Sequence, residues 1–257
     1  MEKISKAQVK LVRSLQVKKF RDETGLFVAE GEKCVSELLK SFEAVSIYRE
    51  GENASHIEIE QMSGLRTPQG VVAVFKKRDV SDQSDQSDKS DQSDHLLLAL
   101  DGVQDPGNLG TIIRTCDWFG VHDIVCSKDT ADCYNPKVVQ ATMGALARVR
   151  IHYVDLPAWL KEQSTIHPSQ IAIYGTLLNG RNMYEVLADN SQSTIHHSQI
   201  IVMGNEGNGI SPEVRQLITH PILIPPYPNN KASEVIESLN VSIATAIVLA
   251  AFRKLVD

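Results

Sequence analysis

The segment that most constrains the fold is residues 81–94, which read SDQSDQSDKSDQSD, a three-residue repeat without one apolar side chain. Such a segment has nothing to bury, and its acidic side chains repel one another, so we expect a disordered acidic linker over residues 79–95. The linker divides the 257 residues into a first part, 1–78, and a second part, 96–257. The fold must therefore be built from these two parts.

The first part predicts a small α/β domain. Ser5 and Gln8 have the spacing of a capping box, and apolar residues follow at helical spacing. Short apolar segments at 27–29, 45–48 and 70–75 predict three strands, and residues 33–39 predict a helix between the first two.

The second part predicts a parallel sheet covered by helices on both faces. Residues 96–100 form a continuous apolar run, which is typical of a buried parallel strand. Further strands are predicted at 123–126, 171–174, 200–203 and 221–224, and a long final helix at 238–255. Helical and strand segments alternate along this part, as in α/β folds.

Composition favours a cytoplasmic protein. The apolar fraction is 42%, no apolar run is long enough for a bilayer span, and the N-terminus lacks the apolar core of a signal peptide. The four cysteines form no C-x-x-C pair, so we expect reduced thiols and no metal site. A nine-residue near-repeat at 163–171 and 192–200 carries three histidines, which surface loops explain more simply than a metal.

The positive charge is concentrated at the N-terminus, although the net charge is −6. Residues 1–78 carry 14 Lys and Arg against 11 Asp and Glu. A basic cluster can hold RNA phosphates whatever the net charge, and a solvated face of a terminal helix is the alternative. The candidate RNA-binding residues are Lys6, Lys10, Arg13, Lys18, Lys19 and Arg21.

Three segments of the second part place polar residues after a predicted strand, where ligands bind in open α/β sheets. The first reads DGVQDPGNLGTIIR over residues 101–114 and offers Asn108 as a helix N-cap. The second, GNEGNG over 204–209, allows close backbone approach to a ligand but lacks the glycine order of a dinucleotide site. The third joins Ile224-Pro225 to SLNVS at 238–242.

Together the three segments resemble the signature motifs of the SpoU (TrmH-like) family of RNA 2′-O-ribose methyltransferases. The NPKVVQATMGA stretch at 135–145 is also similar to that family. So are Arg21, residues 25–33 and 67–71, which resemble its RNA substrate-binding extension. This chain departs from the pattern between Pro225 and Ser238, where the connection is longer and the usual I-P-M-x-G turn is absent. The conformation of residues 226–237 is therefore left open.

The resemblance implies an α/β trefoil-knot (SPOUT-type) methyltransferase domain over 96–257 and a substrate-binding domain over 1–78. It implies S-adenosyl-L-methionine as cofactor, with Gly204, Ile224 and Leu239 in contact with it. It further implies a homodimer whose partner completes the site. The substrate would be ribosomal or transfer RNA, with no role for DNA or membranes, because only RNA carries the 2′-hydroxyl. The implied catalytic residues are Asn108, Arg114, Glu206, Ser238 and Asn240.

The family's proton-abstracting role for Arg114 conflicts with its chemistry. A guanidinium with a pKa above about 12 is a poor base at neutral pH. We therefore expect Arg114 to hold the neighbouring phosphate and orient the hydroxyl.

Two other functions are considered. One is a catalytically inactive RNA-binding or ribosome-assembly factor on the same fold, which donor binding would distinguish. The other is a nucleotide-binding oxidoreductase using residues 204–209, which the wrong glycine order disfavours.

Overall fold

The computed structural model describes residues 4–78, 95–166, 171–190, 198–227 and 238–253. Residues 79–94 of the predicted linker lie outside these ranges, as do residues 228–237 of the long connection. The described residues pack into two compact units. The first unit consists of residues 4–78, 109–114 and 132–150, and the second unit holds the other described residues.

The first unit contains an antiparallel sheet and four short helices from the N-terminal part of the chain. Its sheet has the order β1-β3-β2. The elements are α1 (Lys6–Ser14), α2 (Lys18–Thr24), β1 (Leu26–Glu30), α3 (Glu32–Leu38), β2 (Ala44–Arg49), α4 (His56–Met62) and β3 (Val71–Lys76). The capping box of Ser5 and Gln8 is present. The three predicted strands and the helix between the first two are confirmed, whereas α2 and α4 were not predicted.

Residues 132–150 belong to the same unit and contain α6 (Pro136–Thr142). The ring of Tyr134 lies 4.8 Å from that of Phe27, and burial raises the pKa of Tyr134. Arg78 donates hydrogen bonds to the carbonyl oxygens of Ala147, at 2.6 Å, and Val149. The packed unit therefore includes residues from beyond the predicted linker, and the predicted linker boundaries stay a prediction.

A six-stranded sheet of order β6-β5-β4-β8-β7-β9 follows. Strand β4 pairs in parallel with β5 and β8, and β7 pairs in parallel with β8 and β9. The strands are β4 (His95–Asp101), β5 (Asp123–Ser127), β6 (Arg150–Val154), β7 (Ile171–Asn182), β8 (Ser198–Gly204) and β9 (His220–Leu223). The remaining helices are α5 (Pro106–Trp118), α7 (Leu156–Ile166), α8 (Met183–Asn190), α9 (Pro212–Arg215) and α10 (Val241–Arg253).

Helices cover both faces of this sheet, as predicted. On one face, Ile173 and Val202 share a buried core with Leu160 of α7 and Val214 of α9. Tyr174, the next residue after Ile173, points to the other face, where its ring lies 4.8 Å from that of Phe252 on α10. The α/β fold class is therefore confirmed.

Strand β7 is longer than predicted because it contains a bulge. Thr176 and Arg181 both pair with Ile222 of β9, so residues 177–180 bulge out between them. A Cβ added to Gly180 would lie 2.5 Å from the backbone carbon of Ile222. Only glycine therefore lets β7 return to β9 at this point.

The four cysteines are buried, and none of them forms a disulfide. Burial raises the pKa of Cys34 to about 11, so this thiol stays protonated and unreactive at neutral pH. Among the helices of the described ranges, none has the length and apolar character needed to cross a membrane.

Candidate active site

A hydrogen-bonded network joins the three polar segments at the carboxyl edge of the parallel sheet. The side-chain nitrogen of Asn108 donates to Oε1 of Glu206 at 2.7 Å. The side-chain nitrogen of Asn240 donates to Oδ1 of Asn108 at 3.0 Å. We call these three residues the Asn108–Glu206–Asn240 network. One residue from each sequence motif is thus brought into contact.

Helix α5 positions Asn108. Its N-cap is Asp105, whose Oδ1 accepts the backbone N–H of Asn108 at 2.8 Å, and Pro106 occupies the first turn. The prediction that Asn108 is the N-cap is therefore wrong. Because the aspartate takes that role, the Asn108 carboxamide is left to contact Glu206 and Asn240.

Asn240 caps helix α10. Its Oδ1 accepts hydrogen bonds from the backbone N–H of Ser242 at 3.0 Å and from the Ser242 hydroxyl at 2.6 Å. The oxygen of this amide therefore fixes the helix, while its nitrogen holds Asn108. The predicted final helix begins at Val241, and not at Ser238, because Asn240 is the capping residue at its N-terminus.

The glycine-rich loop after β8 is closed by Asn205. Asn205 and Gly209 exchange two backbone hydrogen bonds of 2.9 Å. A Cβ on Gly204 would lie 2.3 Å from the carbonyl carbon of Gly209, so the closed loop excludes any side chain at Gly204. The Oδ1 of Asn205 also accepts the N–H groups of Gly207 and Asn208. Sequence reasoning missed Asn205.

Asp101 also holds the loop segment and was not singled out as a site residue. This buried carboxylate at the end of β4 accepts the backbone N–H of Ser211 at 2.7 Å. On the other side of the loop, the side-chain nitrogen of Asn205 donates to the carbonyl oxygen of Gly102, directly after β4. Both sides of the glycine-rich loop are thus attached to the end of β4, where α5 follows.

Arg114 lies on the exposed face of α5, six residues after Asn108. Its guanidinium makes no hydrogen bond or ion pair within the described part of the chain, so it is available to an external anion. Thr111 and Trp118 lie on the same exposed face, and Trp118 is 85% exposed.

Of the residues expected to contact the donor, Gly204 and Ile224 lie at the carboxyl ends of β8 and β9, and Leu239 lies two residues before α10. Gly204 and Ile224 are half-buried, and Ser238 and Leu239 are exposed just before α10. Leu178, in the bulge of β7, is another large apolar residue, and it is 75% exposed.

The structure divides the six candidate RNA-binding residues. Lys6, Lys10 and Arg13 are exposed along one face of α1, and Lys18 and Lys19 are exposed on α2. Arg21 is 1% exposed, and its guanidinium binds Asp132 at 2.7 Å and the carbonyl oxygens of Leu15 and Gln16. The prediction for Arg21 is therefore wrong, because all its donors serve the interior of the first unit.

Comparison with family models decides the family. Residues 95–250 match the SpoU rRNA methylase family. The chain belongs to this family. Residues 6–73 match the MRM3-like substrate binding domain, in agreement with the similarity seen in the first part of the sequence.

Two bacterial relatives of this SpoU chain match most of its length. The 23S rRNA (guanosine(2553)-2'-O)-methyltransferase RlmP of Bacillus subtilis is 27% identical over 264 residues, covering 97% of each chain. The 23S rRNA (guanosine-2'-O-)-methyltransferase RlmB of Bordetella pertussis is 31% identical over 205 residues, covering 78% of each.

Two solved structures match nearly the whole chain. An AdoMet-bound rRNA methyltransferase from Sinorhizobium meliloti is 28% identical, with a TM-score of 0.78 and coverage of 99% of this chain and 97% of that one. A TrmH-family protein from Porphyromonas gingivalis is 34% identical, with a TM-score of 0.78 and 98% coverage of both chains.

Proposed function

We propose that this chain is an S-adenosylmethionine-dependent enzyme that methylates the ribose 2′-hydroxyl of a guanosine in ribosomal RNA. The observation that carries the proposal is the Asn108–Glu206–Asn240 network, which unites the three motifs at one edge of the sheet. The relative RlmP, matched over 97% of both chains, supports 23S ribosomal RNA as the substrate and favours it over transfer RNA.

The donor would bind against the ends of β8, β7 and β9. Gly204 and Ile224 would offer backbone groups, and Leu239 and Leu178 would cover the adenine ring. The bound donor supplies an electrophilic methyl group on a sulfonium. The Sinorhizobium relative, whose structure is described as AdoMet-bound, supports this assignment.

The protein's own residues would mainly position the reacting groups. Methyl transfer requires the ribose oxygen to lie in line with the methyl group, and fixed alignment supplies much of the rate enhancement. Asn108 and Asn240 would hold the ribose side of the site, with Ser238 beside them. Arg114 would bind the adjacent phosphate through its fork of donors, and Glu206 would orient Asn108.

The exposed cations of the first unit would bind the phosphates of the RNA. The enzyme would act as a dimer. Lys6, Lys10 and Arg13 form a line of charge on α1. Trp118 on α5 and Ile243 on α10 are large apolar residues left exposed, and a second copy of the chain would cover them and complete the site. Ribosomal RNA as substrate fits a cytoplasmic enzyme.

Mass spectrometry of ribosomal RNA from a strain lacking the protein tests the function. We expect the loss of one ribose methyl group on a guanosine, restored by the purified enzyme and donor. Unchanged methylation would overturn the proposal. Calorimetry with S-adenosylmethionine separates the alternative, because a catalytically inactive assembly factor need not bind the donor.

A further inference from the structure

We propose that Asn205 is a positioning residue that sets Glu206 against Asn108 by clipping the glycine-rich loop to the end of β4. This inference rests on the proposed function. Neither the motif resemblance nor the relatives assign a role to Asn205, and its side chain donates to Gly102 and accepts from Gly207 and Asn208, not from the side chains of the Asn108–Glu206–Asn240 network. It acts through the backbone on either side of Glu206.

Both ends of the Asn205 carboxamide are used. Its Oδ1 accepts the N–H groups of Gly207 at 2.9 Å and Asn208 at 3.0 Å, which folds the loop around Glu206. Its Nδ2 donates to the carbonyl oxygen of Gly102 at 2.7 Å. Of the side chains of this length, only the neutral amide offers an acceptor and a donor together.

The hydrogen bond from Asn205 to Gly102, which we call the clip, extends the pairing of β4 and β8 by one position. Asp101 and Gly204 are register partners at the last pair of β4 and β8. Gly102 and Asn205 come next on their strands, and there the side chain of Asn205 makes the link that backbone pairing made before. The segment leading from β4 to Asn108 is thereby held at a fixed distance from the segment carrying Glu206.

The loop needs such a clip because its own backbone is permissive. Gly207 and Gly209 flank Asn208, and Gly209 has a φ of +68°. Glu206 is exposed, and one exposed hydrogen bond to Asn108 contributes too little to order a glycine-rich loop. The Asn205–Gly209 backbone pair and the Asp101–Ser211 bond hold the two ends of the loop. Between those ends, the backbone on the C-terminal side of Glu206 is held by the side chain of Asn205.

The decisive variants remove the donor end of the amide, or shorten the side chain without adding charge. Asn205→Asp keeps the acceptor for Gly207 and Asn208 but replaces the donor to Gly102 with an oxygen. Asn205→Ser keeps a shorter acceptor and adds no charge. Asn208→Asp is the matched control, because it makes the same chemical change three residues on, where the side chain is exposed and has no partner among the described residues.

In methyl-transfer assays on ribosomal RNA, we expect Asn205→Asp and Asn205→Ser to lower kcat by about 10- to 100-fold, as for a misplaced reacting group. The KM for RNA should change little, and Asn208→Asp should behave as wild type. In a Glu206→Ala background, Asn205→Ser should have no further effect, because the clip acts through Glu206. Wild-type kcat in Asn205→Ser, or a full additional loss in the double variant, would overturn the proposal.

Amide exchange keeps this test separate from that of the proposed function. Gly207 and Asn208 should exchange faster in Asn205→Ala than in wild type or Asn208→Asp, with the melting temperature nearly unchanged. If wild type itself transfers no methyl group, the proposed function fails. If Gly207 and Asn208 exchange as slowly in Asn205→Ala as in wild type, the proposed role of Asn205 is contradicted.

Discussion

Arg114 has no evident structural role among the described residues. It is exposed on α5 and has no partner within the described residues, so it contributes little to stability. We predict that Arg114→Ala leaves the fold and the affinity for the donor almost unchanged but lowers the methylation rate by orders of magnitude. The reason is the loss of the group that holds phosphate and hydroxyl in place.

A lysine at position 114 distinguishes phosphate binding by the guanidinium from a simple effect of positive charge. Arg114→Lys should recover little activity, because an ammonium cannot reproduce the two parallel hydrogen bonds of a guanidinium on phosphate. The measurements are transfer of labelled methyl groups to RNA from cells lacking the enzyme, and calorimetry with the donor. Lys161→Ala, which removes an exposed cation from α7, is the control. Near-wild-type turnover of Arg114→Ala would exclude Arg114 from the mechanism.

For single residues, the sequence predicted the site correctly where the residue belongs to a recognisable motif. Asn108, Glu206 and Asn240 could be selected from their motifs, and the structure brings them together. Arg21 and Asn205 could not be judged correctly, because their roles depend on partners more than a hundred residues away in the chain. The partner of Arg21 is Asp132, and that of Asn205 is Gly102.

At the scale of elements, α5 lies against α6 at Gly110. A Cβ on Gly110 would lie 2.5 Å from the Cβ of Ala141 and 2.8 Å from the carbonyl oxygen of Val138. Backbone cannot yield as a flexible side chain does, so we predict that Gly110→Ala lowers the free energy of unfolding by about 1–3 kcal/mol. It should also lower activity, since α5 carries both Asn108 and Arg114.

Urea denaturation of the two variants Gly110→Ala and Gly107→Ala measures this effect. Gly107 is exposed in the first turn of the same helix, and its added Cβ would meet only the side chain of Asp105, at 3.0 Å. Its substitution should change stability by less than about 1 kcal/mol, because helix propensity partly offsets the contact. Equal stability of both variants would show that α5 and α6 do not depend on the glycine.

Elements were predictable where local signals set them. Apolar runs marked every strand of the sheet except β6, and the capping box marked α1. Helix α4 carries a second capping box, Ser55 with Glu58, that the sequence analysis overlooked. Helix α2 has Val17 as its N-cap residue, which makes no side-chain cap, and so gave no such signal. The bulge of β7 depends on its pairing with β9 and has no local signature.

At the scale of the whole molecule, cutting the chain between residues 78 and 95 tests how the first unit is held together. Residues 132–150 contact the N-terminal sheet through the Phe27–Tyr134 ring contact, the Arg21–Asp132 ion pair and the Arg78–Ala147 hydrogen bond. We therefore predict that, after cleavage at an inserted protease site, the two pieces co-elute and separate only in denaturant. Separation in buffer alone would contradict this. In the cut protein, Tyr134→Ala, which removes the ring contact, should let the two pieces separate at a lower denaturant concentration than the pieces of cut wild type.

RNA binding gives the last test, because counterion release makes phosphate contacts visible in the salt dependence of affinity. Five of the six candidate cations are exposed, and Lys6, Lys10 and Arg13 share one face of α1. We predict that binding of a ribosomal RNA fragment weakens steeply with added salt. Replacing these three residues by alanine should make the plot of log K against log salt shallower by about 2 units, at roughly 0.7 for each lost phosphate contact. Donor affinity should stay unchanged, and Lys161→Ala should keep the wild-type slope. An unchanged slope in the triple variant would move the RNA contact away from α1, to a surface that the N-terminal charge does not mark.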